Sequence, residues 1–144
     1  MSFIVGAKTT FPMNRYSASE TASILTEIWP DKKAVIEKFS KSSGVEFRNT
    51  ILPLDQYKDI MGLKNRNDLY ISSGLKLLKE AIDKLHETIG FNFKDIGLFI
   101  STTITGLSVP SLEAKLMNHF DFSDDLIRVP IFGVGCLGGV YTLN

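Results

Sequence analysis

Two strand-like runs joined by one short helical stretch constrain this chain most. The run Asp95-Ile96-Gly97-Leu98-Phe99-Ile100-Ser101-Thr102-Thr103-Ile104 is β-rich and apolar on both faces. That is the pattern of an internal strand in a sheet covered on both sides. Val109-Pro110-Ser111 opens a helix with Leu112, Leu116 and Phe120 along one side. Leu126-Ile127-Arg128-Val129-Pro130-Ile131-Phe132 then reads as a second strand, after which glycines turn the chain into another helix. A strand, a helix and a further strand in succession favour parallel pairing, because the helix carries the chain back to its starting end.

The upstream sequence extends this pattern. Phe3-Ile4-Val5-Gly6-Ala7 is short and apolar, breaks at Phe11-Pro12, and reads as a strand. Ser17 and Glu20 have capping-box spacing and open a helix with Ala22, Ile24, Leu25 and Ile28 on its apolar side. Pro30-Asp31 ends it and starts another from Lys32 to about Ser42, stopped by Gly44. Arg48–Leu54 has no clear period and reads as extended. The longest helix is predicted from Asp68 to Ile89, with Gly90 as its C-cap. Leu75, Leu78, Ile82, Leu85 and Ile89 recur there at intervals of three and four. The order implies an α/β fold, a mostly parallel sheet with helices on both faces.

Composition narrows the functional classes. The 144 residues amount to one domain's worth and can bury a core. Sixteen basic and sixteen acidic residues cancel, so no net charge favours nucleic acid or an anionic membrane. The single cysteine, Cys136, cannot form an intramolecular disulfide and cannot build a cysteine-based zinc site; no metal is expected. The start, Met1-Ser2-Phe3-Ile4-Val5-Gly6, lacks the positive flank and long apolar run of a signal peptide. No apolar run approaches the roughly 20 residues of a membrane helix. The expected location is the cytoplasm.

Cys136 lies in Val129-Pro130-Ile131-Phe132-Gly133-Val134-Gly135-Cys136-Leu137-Gly138-Gly139-Val140. Gly133-x-Gly135-x-x-Gly138 matches a dinucleotide fingerprint in letters but not in context. That fingerprint belongs to the first turn of a βαβ unit, with an acidic residue about 20 positions later. A nucleophile on a sharp turn is a second reading: the glycines permit the turn, and a helix start stabilises a thiolate and a developing oxyanion. A small buried cysteine where strand meets helix is a third, and burial is the commoner fate of a free cysteine. Local physics leaves the last two open.

Three ordered segments carry a family resemblance. Arg128–Gly139 resembles the active-site cysteine segment of bacterial type III polyketide synthases, the chalcone synthase-like family. Thr103-Ile104-Thr105-Gly106-Leu107-Ser108-Val109-Pro110-Ser111-Leu112-Glu113-Ala114-Lys115-Leu116 resembles that family's TGxxxPSLDAxL segment. Arg48-Asn49-Thr50-Ile51-Leu52-Pro53-Leu54-Asp55-Gln56-Tyr57 resembles its RxxxLPLxxY segment, and Arg66-Asn67-Asp68 also fits.

The resemblance implies a thiolase-like fold, of which residues 1–144 are the N-terminal half, the C-terminal half being absent. It implies an acyltransferase in which Cys136 accepts an acyl group from a coenzyme A thioester. Malonyl-CoA is then decarboxylated and its carbanion attacks the bound acyl group. Acyl-CoA and malonyl-CoA are the implied partners, with no metal or organic cofactor, in a homodimer. Thr105 falls where the family places a small hydroxyl residue near the cysteine. Val109 aligns with the apolar residue, methionine in plant members, that walls the partner subunit's pocket. Lys41, with Lys38 beside it, lies where basic residues meet the CoA phosphates, although Glu37 stands where the family often has another basic residue.

The family's histidine and asparagine partners of the cysteine come from its second half. Here the histidines are His86, beside the apolar face of the long helix, and His119, near the end of the Ser111–Phe120 helix; both read as structural. The 144 residues alone are therefore expected to be inactive as a synthase. Two alternatives stand beside this reading. One is a ketoacyl-synthase III-like condensing enzyme using acyl carrier protein, against which Pro110-Ser111-Leu112 argues. The other is a truncated, non-catalytic interaction domain.

Overall fold

The computed structural model describes residues 3–143; Met1 and Ser2 of the N-terminal run read above lie outside the described residues, as does Asn144. The chain divides into two compact units, Phe11–Gly62 and residues 3–10 with 63–143.

In the first unit, strand β1 (Asn14–Ser17) leads directly into helix α1 (Ala18–Ile28). The capping box forms as its spacing requires. Ser17 Oγ accepts from the Glu20 N–H at 3.2 Å, and the Ser17 N–H donates to Glu20 Oε2 at 2.7 Å. A 3-10 turn, Pro30–Lys32, separates α1 from α2 (Lys33–Ser42), and Gly44 follows α2 with φ 65°. Strand β2 (Phe47–Thr50) pairs antiparallel with β1 from Asn14 opposite Thr50 to Ser17 opposite Phe47. The Ala18 N–H donates to the Glu46 carbonyl at 2.8 Å, and Ser40 Oγ donates to the Ala18 carbonyl at 3.2 Å. These two bonds lock the start of α1 to α2 and to the entry of β2. The extended run ends at Thr50, earlier than expected, because Pro53 leads into a 3-10 turn from Leu54 to Asp59.

The second unit is built on helix α3 (Gly62–Ile89), strands β3 (Leu98–Thr103) and β4 (Ile127–Phe132), and the short helices α4 (Leu112–Leu116) and α5 (Gly138–Leu143). The expected parallel pairing is present: β3 and β4 run parallel from Leu98 opposite Ile127 to Thr103 opposite Phe132. Side chains alternate between the two faces of a strand. Accordingly Ser101 reaches α4 through Glu113, while Thr102 lies against Gly138 of α5. Helices thus cover both faces of the parallel pair.

Leu112, Leu116 and Leu126 are the buried apolar residues of this unit. An aromatic cluster flanks them: Phe93 stacks on Phe120 with centroids 4.9 Å apart, and Phe91 and Phe122 pack edge-on to Phe93. The predicted apolar face of α3 is half-buried along Leu75, Leu78, Ile82 and Leu85, and Ile89 is exposed. Gly90 closes the helix with φ 66° and donates its N–H to the His86 carbonyl at 2.8 Å. No helix among the described residues is long and apolar enough to cross a membrane.

Four expectations need correction. Residues 3–7 are not a strand: no ladder partner among the described residues pairs with them, and Gly6 instead lies against Leu85 and Ile89 of α3. Helix α3 starts at Gly62, six residues before Asp68, over a stretch too polar to show a period. Helix α4 stops at Leu116 rather than Phe120, because Phe120 turns into the aromatic cluster. His119 therefore sits in the turn after α4, not in a helical last turn.

Candidate functional site

The parallel register brings two loops to one end of the sheet. Thr103 and Phe132 are partners, so the segments 104–111 and 133–137 leave β3 and β4 side by side. The Gly133 N–H donates to the Thr103 carbonyl at 3.2 Å and carries the ladder one residue past the strands. The crevice at the carboxyl end of parallel strands is the usual ligand site of α/β sheets.

Cys136 stands on the second of these loops. Gly133 and Gly135 have φ of 85° and 58°, values that strain any residue with a Cβ. Nothing lies within 4 Å of a Cβ built at either position, so backbone conformation, not crowding, demands glycine there. The two left-handed residues fold the chain back into a 3-10 turn, Gly135–Leu137, with the Leu137 N–H donating to the Val134 carbonyl at 3.3 Å. Gly138 starts α5 hard against β3: a Cβ there would lie 2.3 Å from Thr102 Oγ1. The turn is therefore anchored on both sides while the Cys136 side chain is exposed. The exposed thiol fits the turn reading rather than the buried one.

The neighbouring loop carries Thr105 and Val109. Thr105 is exposed and donates its N–H to Thr103 Oγ1 at 3.1 Å. Val109 is 97% exposed and precedes Pro110 through a cis peptide bond. Ser111 caps α4, its Oγ accepting from the Ala114 N–H at 3.4 Å. Two side chains of α3 hold the middle of this loop: Asn67, from the Arg66-Asn67-Asp68 match, and Tyr70, which the sequence did not single out. Asn67 accepts the Leu107 N–H at 2.8 Å and donates to the Leu107 carbonyl at 2.7 Å. Tyr70 lies under Gly106, where a Cβ would come within 2.4 Å of its ring.

Lys41 lies in the other unit, in the last turn of α2. It lines a groove of about 810 Å³ between α1 and α2, together with Lys33, Glu37 and Ser40. Lys33 and Glu37 approach to 3.9 Å across one helical turn. The groove wall on α1 is made of small and hydroxyl-bearing residues, Ala18, Ala22, Ser23 and Thr26 among them.

Neither histidine hydrogen-bonds Cys136 among the described residues. His86 packs between Phe91 and Phe93, at centroid distances of 5.0 and 4.8 Å, and its Nδ1 is buried without a partner. His119 is exposed. No group of three or more His, Cys, Asp or Glu side chains among the described residues is placed to hold a metal ion. The site thus offers an exposed thiol, a glycine-built turn and a hydroxyl-bearing loop beside it. That set suits acceptance of an acyl group by sulfur.

No protein-family model matches the chain. Among curated proteins it is 31% identical over 144 residues to the 1,3,6,8-tetrahydroxynaphthalene synthase of Streptomyces peucetius subsp. caesius, a match spanning 98% of this chain and 38% of that enzyme. Among solved structures it superposes on the 1,3,6,8-tetrahydroxynaphthalene synthase of Streptomyces coelicolor A3(2), a bacterial type III polyketide synthase. That superposition has a TM-score of 0.84 at 22% identity and covers 94% of this chain and 40% of the other. It also superposes on CsyB complexed with CoA-SH, with a TM-score of 0.83 at 19% identity, over 96% of this chain and 39% of CsyB. The chain spans about two-fifths of the length of the proteins it matches. In sequence the chain is homologous to type III polyketide synthases over about two-fifths of their length, and its thiolase-like α/β fold matches theirs over the same span.

Proposed function

We propose that this chain carries the acyl-accepting end of a polyketide-forming acyltransferase, with Cys136 as the nucleophile. The observation that carries the reading is the exposed Cys136 on its anchored glycine turn, at the carboxyl end of the parallel strands. In the first step Cys136 Sγ attacks the carbonyl carbon of an acyl-CoA. The Sγ–acyl bond forms, the acyl–S bond to coenzyme A breaks, and coenzyme A leaves as the thiol with the proton that Cys136 gave up. In the second, malonyl-CoA loses carbon dioxide and its carbanion attacks the bound acyl group, which releases Cys136 as thiolate.

Within this reading each remaining residue has a part. Thr105 borders the acyl group from the neighbouring loop. Val109, with almost its whole side chain free, reaches the pocket of a second subunit in a homodimer. Lys41 meets the phosphates of coenzyme A at the α1–α2 groove; the structure of CsyB with CoA-SH makes such a ligand relevant to this fold. The thioesters are substrates, and the scheme invokes no separate cofactor. Such water-soluble substrates suit a cytoplasmic enzyme. Decarboxylation needs an acid–base partner that neither His86 nor His119 supplies, so the 144 residues by themselves load an acyl group without extending it.

The test is acyl transfer from a radiolabelled acyl-CoA. Label is expected on Cys136, and prior alkylation with iodoacetamide or a Cys136→Ala substitution is expected to abolish it. Labelling that survives either treatment rules the reading out.

A further inference from the structure

We propose that Asn67 is a positioning residue for the loop that carries Thr105 and Val109, and so governs how the growing chain is accommodated; the inference rests on the acyltransferase reading above.

The loop from 104 to 111 has little burial to hold it. Ile104, Leu107 and Val109 are 63%, 58% and 97% exposed. Packing therefore cannot fix where Thr105 and Val109 sit, and hydrogen bonds must. Local bonds serve the two ends: the Thr105 N–H to Thr103 Oγ1 at 3.1 Å, and Ser108 Oγ to the Pro110 carbonyl at 2.6 Å. The midpoint is held from outside the loop. One planar side-chain amide satisfies both polar atoms of the Leu107 backbone, accepting from its N–H at 2.8 Å and donating to its carbonyl at 2.7 Å. A paired bond of this kind restricts rotation as well as distance, as a neighbouring strand would.

Tyr70 completes the seat. It lies three residues along α3 from Asn67, on the same helix face. Gly106 is buried over it, and a Cβ there would meet Tyr70 Cδ1 at 2.4 Å and Asn67 Oδ1 at 2.7 Å. The glycine thus lets the backbone come close enough for both Asn67 bonds. Leu107 is midway between Thr105 and Val109, so a single clamp sets both. Asparagine is required by the bond pattern: aspartate would oppose its second oxygen to the Leu107 carbonyl, and alanine offers neither partner.

The experiment uses the protein expressed from its own complete reading frame, with Asn67→Ala, Asn67→Asp and, as an independent route to the same loop, Gly106→Ala. Thermal melting establishes that each variant is folded. Hydrogen exchange at the Leu107 amide reads the clamp itself and should accelerate by about tenfold or more in Asn67→Ala. Acyl loading of Cys136 should stay within about twofold of the parent. Extension with malonyl-CoA should fall by about 10- to 100-fold or shift to products of different length, the scale expected for misplacement of a pocket wall by about 1 Å. Asn67→Asp, which keeps the acceptor for the Leu107 N–H, should be intermediate, and Gly106→Ala should reproduce the product change. Unchanged Leu107 exchange overturns the proposal, and so does accelerated exchange with unaltered extension and products. Loading and extension that fall together also overturn it. If the parent protein forms no polyketide, the acyltransferase reading fails, and Leu107 exchange alone decides whether Asn67 positions the loop.

Discussion

The hydroxyl of Ser101 in β3 donates a hydrogen bond to Oε1 of Glu113 in α4, a side chain only 1% exposed, while Oε2 of the same carboxyl has no partner among the described residues. A buried carboxyl with one oxygen satisfied depends on that bond. Ser101→Ala removes it and strands both oxygens, which should cost about 1–3 kcal/mol. The double variant Ser101→Ala/Glu113→Leu removes donor and acceptor together and should recover most of that loss. Urea denaturation midpoints check this. A Ser101→Ala midpoint equal to the parent's would show that the pair contributes nothing.

The contact between Thr102 and Gly138 sets a second prediction. A Cβ at 138 would lie 2.3 Å from Thr102 Oγ1 and 2.9 Å from its Cγ2. Gly138→Ala should push α5 away from β3 and cost about 1–3 kcal/mol, as overpacking does. Adding Thr102→Ala removes both of those atoms and leaves only the 3.1 Å approach of the Thr102 Cβ, so part of the stability should return. The measurement is the melting temperature of the two variants. Equal losses in the single and the double variant would place the cost elsewhere, in the helical backbone at 138.

What could be read in the sequence divides along the range of the interactions. The capping box of Ser17 and Glu20, the stop at Gly90 and the glycine turn around Cys136 are local, and each formed where its spacing placed it. The parallel pairing of β3 with β4 was legible because both runs are apolar with a helix between them. Strand β1 was not legible: Asn14-Arg15-Tyr16-Ser17 is polar without alternation and is a strand only because residues 47–50 lie opposite. The converse holds for residues 3–7, which look like a strand and find no partner among the described residues. The clamp on Leu107 was hidden for a similar reason. Asn67 is 40 positions away in sequence, and an asparagine near a helix start reads as a cap or a turn residue.

The Ser17–Glu20 box also predicts a pH dependence. The Ser17 hydroxyl and then the Ser17 backbone N–H hold the Glu20 carboxyl below its ordinary value of 4.5. A carboxylate whose folded pKa is depressed adds stability that is fully present above the unfolded value and is lost as pH falls through the folded one. The parent protein should therefore lose part of α1's stability below about pH 4.5, and Glu20→Gln should flatten that part of the profile. Glu20 is fully exposed, so the effect should also shrink at high salt. Melting temperatures of the two proteins between about pH 3 and 6 provide the check. Parallel profiles would mean that Glu20 binds its proton equally well folded and unfolded.

The last prediction concerns the exposed start of the parallel pair. Leu98 and Ile127 are 49% and 61% exposed and sit opposite each other in the register, on the same face of the pair. Among the described residues each strand of this sheet has one partner and one unpaired edge. Apolar side chains beside open hydrogen-bonding edges drive association. The isolated 144-residue chain should therefore self-associate at about 10–100 µM, the range in which such surfaces meet. Ile127→Lys places a charge on that face and should shift the chain toward monomer without disturbing the ladder, since only a side chain changes. Size-exclusion chromatography with light scattering at two concentrations measures both. A parent chain that stays monomeric at the higher concentration would show that this face does not drive association.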